Sequence, residues 1–395
     1  MTITSPPKVR AIRALGAAGL SLALLLTGCG REDDDKRSAA SDPASGSATG
    51  SGAEPGTPQA ALAGARWLEG ELTDGVLRNR QYGTDDLGST IDLAYALRAV
   101  DPDSDALPAI ADVLVAGAAE YASPGEDVYA GSTAKLLSFA ADTGADPRDF
   151  AGIDLLAQLE ERIEDAGPDA GPTAGRAEDK SSFGDYANSF GQAWAVRGLT
   201  LAGSEEAEAA RDYLLQQQCS DGFFRLYFPG AAAEDQTCDG ADAEPEPVDT
   251  TALTYVLLHD LAEDDATLDA ALRKGIDYIL DQQAEDGSFS GGDGAVVPNA
   301  NSTGLAGWAL HLAGEDEAAA QAAAWVRGRQ LGECEGVLAR DAGAIAFDDT
   351  AVRAAGKKGL TKTTEGQWRA ATIQALPALL ATPDGADEAP CPAGS

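Results

Sequence analysis

The chain has 395 residues, 44% of them hydrophobic and 6% aromatic, and a formal net charge of -37. That length is ample for a sizeable core. The acidity disfavours nucleic acid and anionic membrane surfaces as partners, because both are polyanions.

The first 28 residues read as an export signal. Lys8, Arg10 and Arg13 form a basic start, and Ala14 to Leu26 form an apolar run. That run is shorter than the roughly 20 residues a spanning helix needs. It closes on Leu26-Thr27-Gly28-Cys29, which resembles the bacterial lipobox, so Cys29 is the expected lipidated first residue of the mature protein. Residues 29–58 are rich in Ser, Gly, Ala, Pro and Asp and lack large apolar side chains. Such a segment buries too little to offset ordering entropy and predicts a disordered tether. These features together predict an extracytoplasmic protein held at the cell membrane by lipid.

With Cys29 assigned to lipid, Cys219, Cys238, Cys334 and Cys391 remain. Four cysteines in an oxidising compartment predict two disulfides. Cys219–Cys238 and Cys334–Cys391 are the favoured pairs, the second tying the tail (residues 383–395) to the last repeat. No CxxC or Cys/His spacing supports a metal cluster instead.

Residues 59–382 read as helices rich in Ala and Leu, without a sustained alternating stretch of β-branched residues. Ser, Thr, Asp and Asn mark a recurring helix start, because they accept from the free N–H groups of a first turn. The starts are GSTIDLAYAL at Gly88, GSTAKLLSFA at Gly131, NSFGQAWAVRGL at Asn188, DTTALTYVLL at Asp249, NSTGLAGWAL at Asn301 and a divergent EGQWRAATIQAL at Glu365. Partner helices precede them: RWLEGELTDGVL from Arg66, residues 107–121, residues 150–163, the helices ending in YLLQQQ and YILDQQ, and WVRGRQLGECEGVL from Trp325. Six pairs predict an all-α fold, a closed (α/α)6 toroid with second helices inside, with an open α-solenoid as the alternative.

Two partner helices run into matching strings, YLLQQQCSDGFF (Tyr213 to Phe224) and YILDQQAEDGSF (Tyr278 to Phe289). They are similar to the QW motif of squalene–hopene cyclases and the related prenyltransferase repeats, with Phe in place of Trp. The resemblance implies an α/α toroid and structural roles for Gln218 with Phe224 and Gln283 with Phe289. Function does not follow, since this fold hosts unrelated activities. The DxDD acid motif of class II cyclases is absent, two histidines are too few for the prenyltransferase zinc site, and GECEG at Gly332 is not a thioester motif.

A toroid offers a funnel lined by inner-helix starts and their preceding loops. Loop candidates for ligand binding are Tyr82, Asp86, Tyr129, Tyr186, Phe223, Tyr227, Asn299 and Trp368. Asp92, Lys135, Gln192 and Arg369, each three residues into an inner helix, form a candidate polar layer. His259, His311 and Arg98 fall near inner-helix C-termini, where a cation meets the helix dipole favourably. No EF-hand spacing surrounds Asp286 or Asp293, and no metal site is expected.

These features point to a non-catalytic binding protein for a small molecule. The exported cobalamin carriers of the intrinsic factor type, which share the toroid, suggest a corrinoid or other vitamin-like ligand passed to a membrane transporter. The alternatives are an extracytoplasmic glycan hydrolase or lyase using Asp86 or Asp92 with Tyr82 or Tyr186, a terpenoid-cyclase-like enzyme, and a scaffold using the acidic outer face.

Overall fold

A computed structural model of the chain describes residues 57–239, 248–291, 297–383 and 389–392. The signal, Cys29 and nearly all of the expected tether lie outside these residues. Six inner helices, α2 (Leu87–Val100), α4 (Ala130–Thr143), α6 (Ser189–Leu201), α8 (Val248–Leu258), α10 (Ala300–Ala313) and α13 (Glu365–Ala375), each pack on the next. The last returns to α2, so the ring is closed and the open solenoid is ruled out. Outside them lie α1 (Gln59–Glu71), α3 (Ala106–Ala122), α5 (Leu155–Glu160), α7 (Ala207–Gln216), α9 (Ala266–Gln282) and α11 (Asp316–Arg327). A further surface helix, α12 (Asp349–Lys358), precedes α13.

The helix starts follow from their caps. Asp86 accepts from Ser89 N at 3.0 Å, Asn188 from Phe190 N at 3.0 Å and Asn299 from Ser302 N at 3.0 Å. The first turn of α4 has no cap of its own, and Asp179 from a distant loop accepts from Ala130 N instead.

Three expected helices are shorter than the sequence suggested; of the run expected from Trp325, only Trp325 to Arg327 are α-helical, as the end of α11. Past Glu71 the chain forms a small antiparallel sheet, β1 (Leu72–Thr73), β2 (Val76–Asn79) and β3 (Thr84–Asp85), in the order β1-β2-β3. Asp74 and Gly75 both have positive φ, the geometry of the tight hairpin turn that Asp-Gly favours. The helix expected over 150–163 shrinks to α5. Ala151 and Gly152 turn with positive φ before Asp154 caps it, and Ile163 then leaves to bridge with Ala177.

One joint recurs around the ring and explains the Gln-Gly-Phe strings. Gln218 Nε2 donates to Gly222 O and to Ala271 O of α9, both at 2.8 Å. Gln283 does the same to Gly287 O and Ala318 O of α11. Gln330 donates to Gly343 O and, at 2.9 Å, to Ala60 O of α1, which joins the last unit to the first. The turn glycine has positive φ, and its bare Cα lies on the next outer helix. A Cβ on Gly222 would stand 2.5 Å from Lys274 O, and one on Gly287 2.5 Å from Gln321 O. Two residues later a backbone N–H donates to an inner-helix threonine: Leu77 to Thr90, Phe224 to Thr251, Phe289 to Thr303 and Ile345 to Thr372.

In the third unit Gln192 performs both jobs. Its Oε1 accepts from Ala177 N, and its Nε2 donates to Gly175 O and Ala210 O. The second unit lacks the joint, and Thr133 at the matching position has a buried hydroxyl without a partner among the described residues.

Cys219–Cys238 and Cys334–Cys391 are disulfide-bonded, with Cα atoms 4.9 and 5.5 Å apart, as favoured from the sequence. Two such bonds mark an oxidising, extracytoplasmic setting. Among the described residues no helix is long and apolar enough to cross a membrane.

Candidate functional site

The threonine joints fix which inner-helix positions are equivalent: Thr90, Thr133, Gln192, Thr251, Thr303 and Thr372. Two residues beyond each stand Asp92, Lys135, Trp194, Leu253, Leu305 and Gln374, and all six line one cavity on the toroid axis. Its volume is about 230 Å³. Tyr95, Val256 and Trp308 extend the wall one turn deeper, while Tyr129, Tyr186 and Tyr227 stand at the mouth.

This register separates the sequence candidates. Asp92, Tyr129, Lys135, Tyr186 and Tyr227 come together around the cavity. Gln192 and Arg369 do not join the layer, because the third and sixth units are offset from an alignment on their Ser or Gly starts. Gln192 is at the joint position, and Arg369 is buried where it meets Glu365 Oε1 at 3.1 Å and donates to Arg78 O at 2.8 Å. Asp86 and Asn299 are helix caps. Phe223 packs in the core 5.3 Å from the Tyr278 ring, and Trp368 is buried in α13. Tyr82 is exposed in the turn after β2.

Sequence reasoning missed Trp194, Leu253, Leu305, Trp308 and Gln374. The signal that finds them is the recurring threonine, counted from the joint rather than from the helix start.

Asp92 and Lys135 form the layer's charged pair. Lys135 Nζ lies 2.6 Å from Asp92 Oδ1 and donates to Gly88 O at 3.0 Å. Burial works to lower the pKa of this ammonium, but Asp92 and Tyr121 outweigh it and hold it raised, so Lys135 stays charged. The ammonium also sits 5.8 Å from the Trp194 ring centroid. Burial raises the Tyr121 hydroxyl and the Asp179 carboxyl.

Below the layer, Arg197 knots three inner helices. It donates to Asp142 Oδ1 and Oδ2 at 2.7 and 2.8 Å, to Asp260 Oδ1 at 2.8 Å and to Leu257 O at 2.7 Å. Tyr95 donates to the same Asp142 at 2.6 Å, which anchors a wall residue of the cavity to the knot.

The histidines stay outside this site. His311 lies in the last turn of α10, and the His259 ring stacks on Tyr255 with Nδ1 3.1 Å from Val256 O. No group of three or more metal-ligating side chains occurs among the described residues.

Asp249, at the start of α8, is a half-buried carboxyl that costs stability. Burial pushes it up to about 6, opposed by a hydrogen bond from Ser302. The folded state therefore holds a proton that the unfolded chain releases near pH 4, and stability falls as pH rises from about 4 to 6. Asp249→Asn should raise unfolding stability at pH 7.5 by about 1–2 kcal/mol, after allowance for its partial exposure, with the gain vanishing toward pH 4. Paired thermal melts across that range measure it.

No family model and no curated protein matches the chain. Among solved structures it is similar to a protein from Actinoplanes, at 17% identity and a TM-score of 0.53, covering 81% of this chain and 98% of that one. It is also similar to the apo type II terpene cyclase MstE from Scytonema, at 16% identity and a TM-score of 0.52, covering 82% and 96%. The fold is that of a terpenoid-cyclase-like α/α toroid. At such identities the likeness speaks for the fold alone, so activity has to be argued from the axial cavity.

Proposed function

We propose that the chain is a lipid-anchored extracytoplasmic protein whose toroid holds a small, mostly apolar molecule on its axis without transforming it. The observation that carries this reading is the six-residue layer. Its two charges, on Asp92 and Lys135, form an ion pair, and the rest of the layer is Trp194, Leu253, Leu305 and Gln374. A cyclase acid must give up a proton to an alkene, whereas Asp92 is ion-paired with Lys135 Nζ at 2.6 Å. The glycan-hydrolase alternative finds no uncommitted second acid. Asp179, the other carboxylate of the wall, accepts from Ala130 N and Tyr186 N.

Cavity size bears on the ligand. About 230 Å³ is below the ~300–1,000 Å³ of pockets that enclose drug-sized ligands, so a corrinoid is set aside in favour of a slender molecule. Lipidation at Cys29 would hold the toroid beside the membrane, where a transporter could receive the ligand.

The test is a thermal-shift panel on residues 57–395. Slender apolar and amphiphilic molecules should stabilise the domain, by ~2.7 kcal/mol at a hundred times the dissociation constant. Corrinoids and oligosaccharides should not. A shift with a corrinoid or a glycan alone would overturn the reading.

A further inference from the structure

The charge balance and the aromatic wall of the axial cavity narrow the ligand further. Among the lining residues the charged groups are Asp92, Asp179 and Lys135. The single cation is committed, since Lys135 Nζ bonds Asp92 Oδ1 and Gly88 O. An anionic head group would meet two carboxylates and no free cation.

Hydrogen-bonding capacity points the same way. Asp92 is paired through Oδ1, and its side chain is 32% exposed in a residue that lines the cavity. Gln374, on the neighbouring α13 wall, adds a carboxamide to the same lining. A carboxylate has more acceptor sites than one ion pair fills, which suits a positively charged or donating group.

Aromatic faces complete the environment. Tyr95, Tyr121, Tyr129, Tyr186, Trp194 and Trp308 line the same space. Their ring faces carry negative potential that attracts cations, most strongly where water is excluded. Trp194 already has one ammonium, Lys135 Nζ, 5.8 Å from its ring centroid, so a cation is tolerated at this wall. The net charge of -37 adds long-range attraction for cations and repulsion of anions at the mouth.

We propose that the ligand of the axial cavity is an organic cation, a slender apolar body carrying an ammonium group that sits against Asp92 and the aromatic wall. This rests on the binding reading above and deepens it. Calorimetric titration of the domain with octyltrimethylammonium, octanol and octanoate, all below their micellar concentrations, separates the two claims, because the chain is constant and only the head changes. The cation should bind at least tenfold more tightly than octanol, with no detectable binding of octanoate.

Trp194→Leu, which keeps an apolar wall, should weaken the cation at least fivefold while leaving octanol within twofold. Lys135→Met, which removes the competing ammonium, should tighten the cation, and retained folding is read from its circular dichroism. Octanol or octanoate binding as tightly as the cation would overturn the charge assignment and leave the binding reading standing. Failure of all three to bind would overturn both.

Discussion

Gly222→Ala is expected to destabilise the domain by about 3 kcal/mol or more, while Gly314→Ala should cost only about 1 kcal/mol. Both glycines have positive φ, +106° and +78°, so both substitutions strain the backbone. They differ in what stands nearby. A Cβ on Gly222 would lie 2.5 Å from Lys274 O of α9, whereas one on Gly314 meets nothing within 4 Å. The excess therefore measures the close seating of one unit's turn on the next outer helix. Gly343→Ala extends the comparison to the closing joint, where a Cβ would overlap Ala63 O of α1. Urea denaturation of the three variants reads the differences, and equal losses at Gly222 and Gly314 would refute the joint.

The second large effect is expected at Arg197. Arg197→Met removes the guanidinium shared by Asp142, Asp260 and Leu257 O and leaves the Asp142 carboxylate with the Tyr95 hydroxyl, while Arg98 still donates to Asp142 O. Breaking a buried pair by deleting one partner costs about 3–5 kcal/mol, because the other charge stays buried. Asp260→Asn should cost under about 1 kcal/mol, since that carboxylate is 45% exposed and keeps access to water. Tyr95 ties this knot to the cavity wall, so Arg197→Met should also weaken ligand binding. Thermal melts with and without ligand separate the two effects.

Much of the ring was legible because capping chemistry is local. Asn188, Asn301 and the Ser/Thr residues after them announce inner-helix starts to within a residue or two. The six pairs, their inside-outside order and both disulfide pairs followed from those starts and from the cysteine count. The Gln-Gly-Phe joint was visible twice. Its third copy, Trp325-Gln330-Gly343-Ile345, was hidden because the loop between Gln330 and Gly343 is longer and carries Cys334.

The cavity was half legible for a reason of register. Counting from Ser89 and Ser132 places Asp92 and Lys135 correctly, because each serine stands directly before its joint residue. Ser189 stands earlier than that before Gln192, and Gly366 earlier still before Thr372, so the same count misplaces the third and sixth walls. Trp194 and Gln374 are found only when the joint sets the count. The apolar walls Leu253 and Leu305 carried no polar signal at all, and helix periodicity alone cannot tell an axial leucine from a core one.

The central claim is that the axial layer is where the ligand sits. Its most direct test compares the wild-type domain with Leu253→Trp, which fills the cavity from the α8 wall, using the panel compound that stabilises the wild type most. The account predicts that the variant remains folded and loses the ligand-induced rise in melting temperature. An undiminished rise in the filled variant would place the ligand elsewhere and contradict the account.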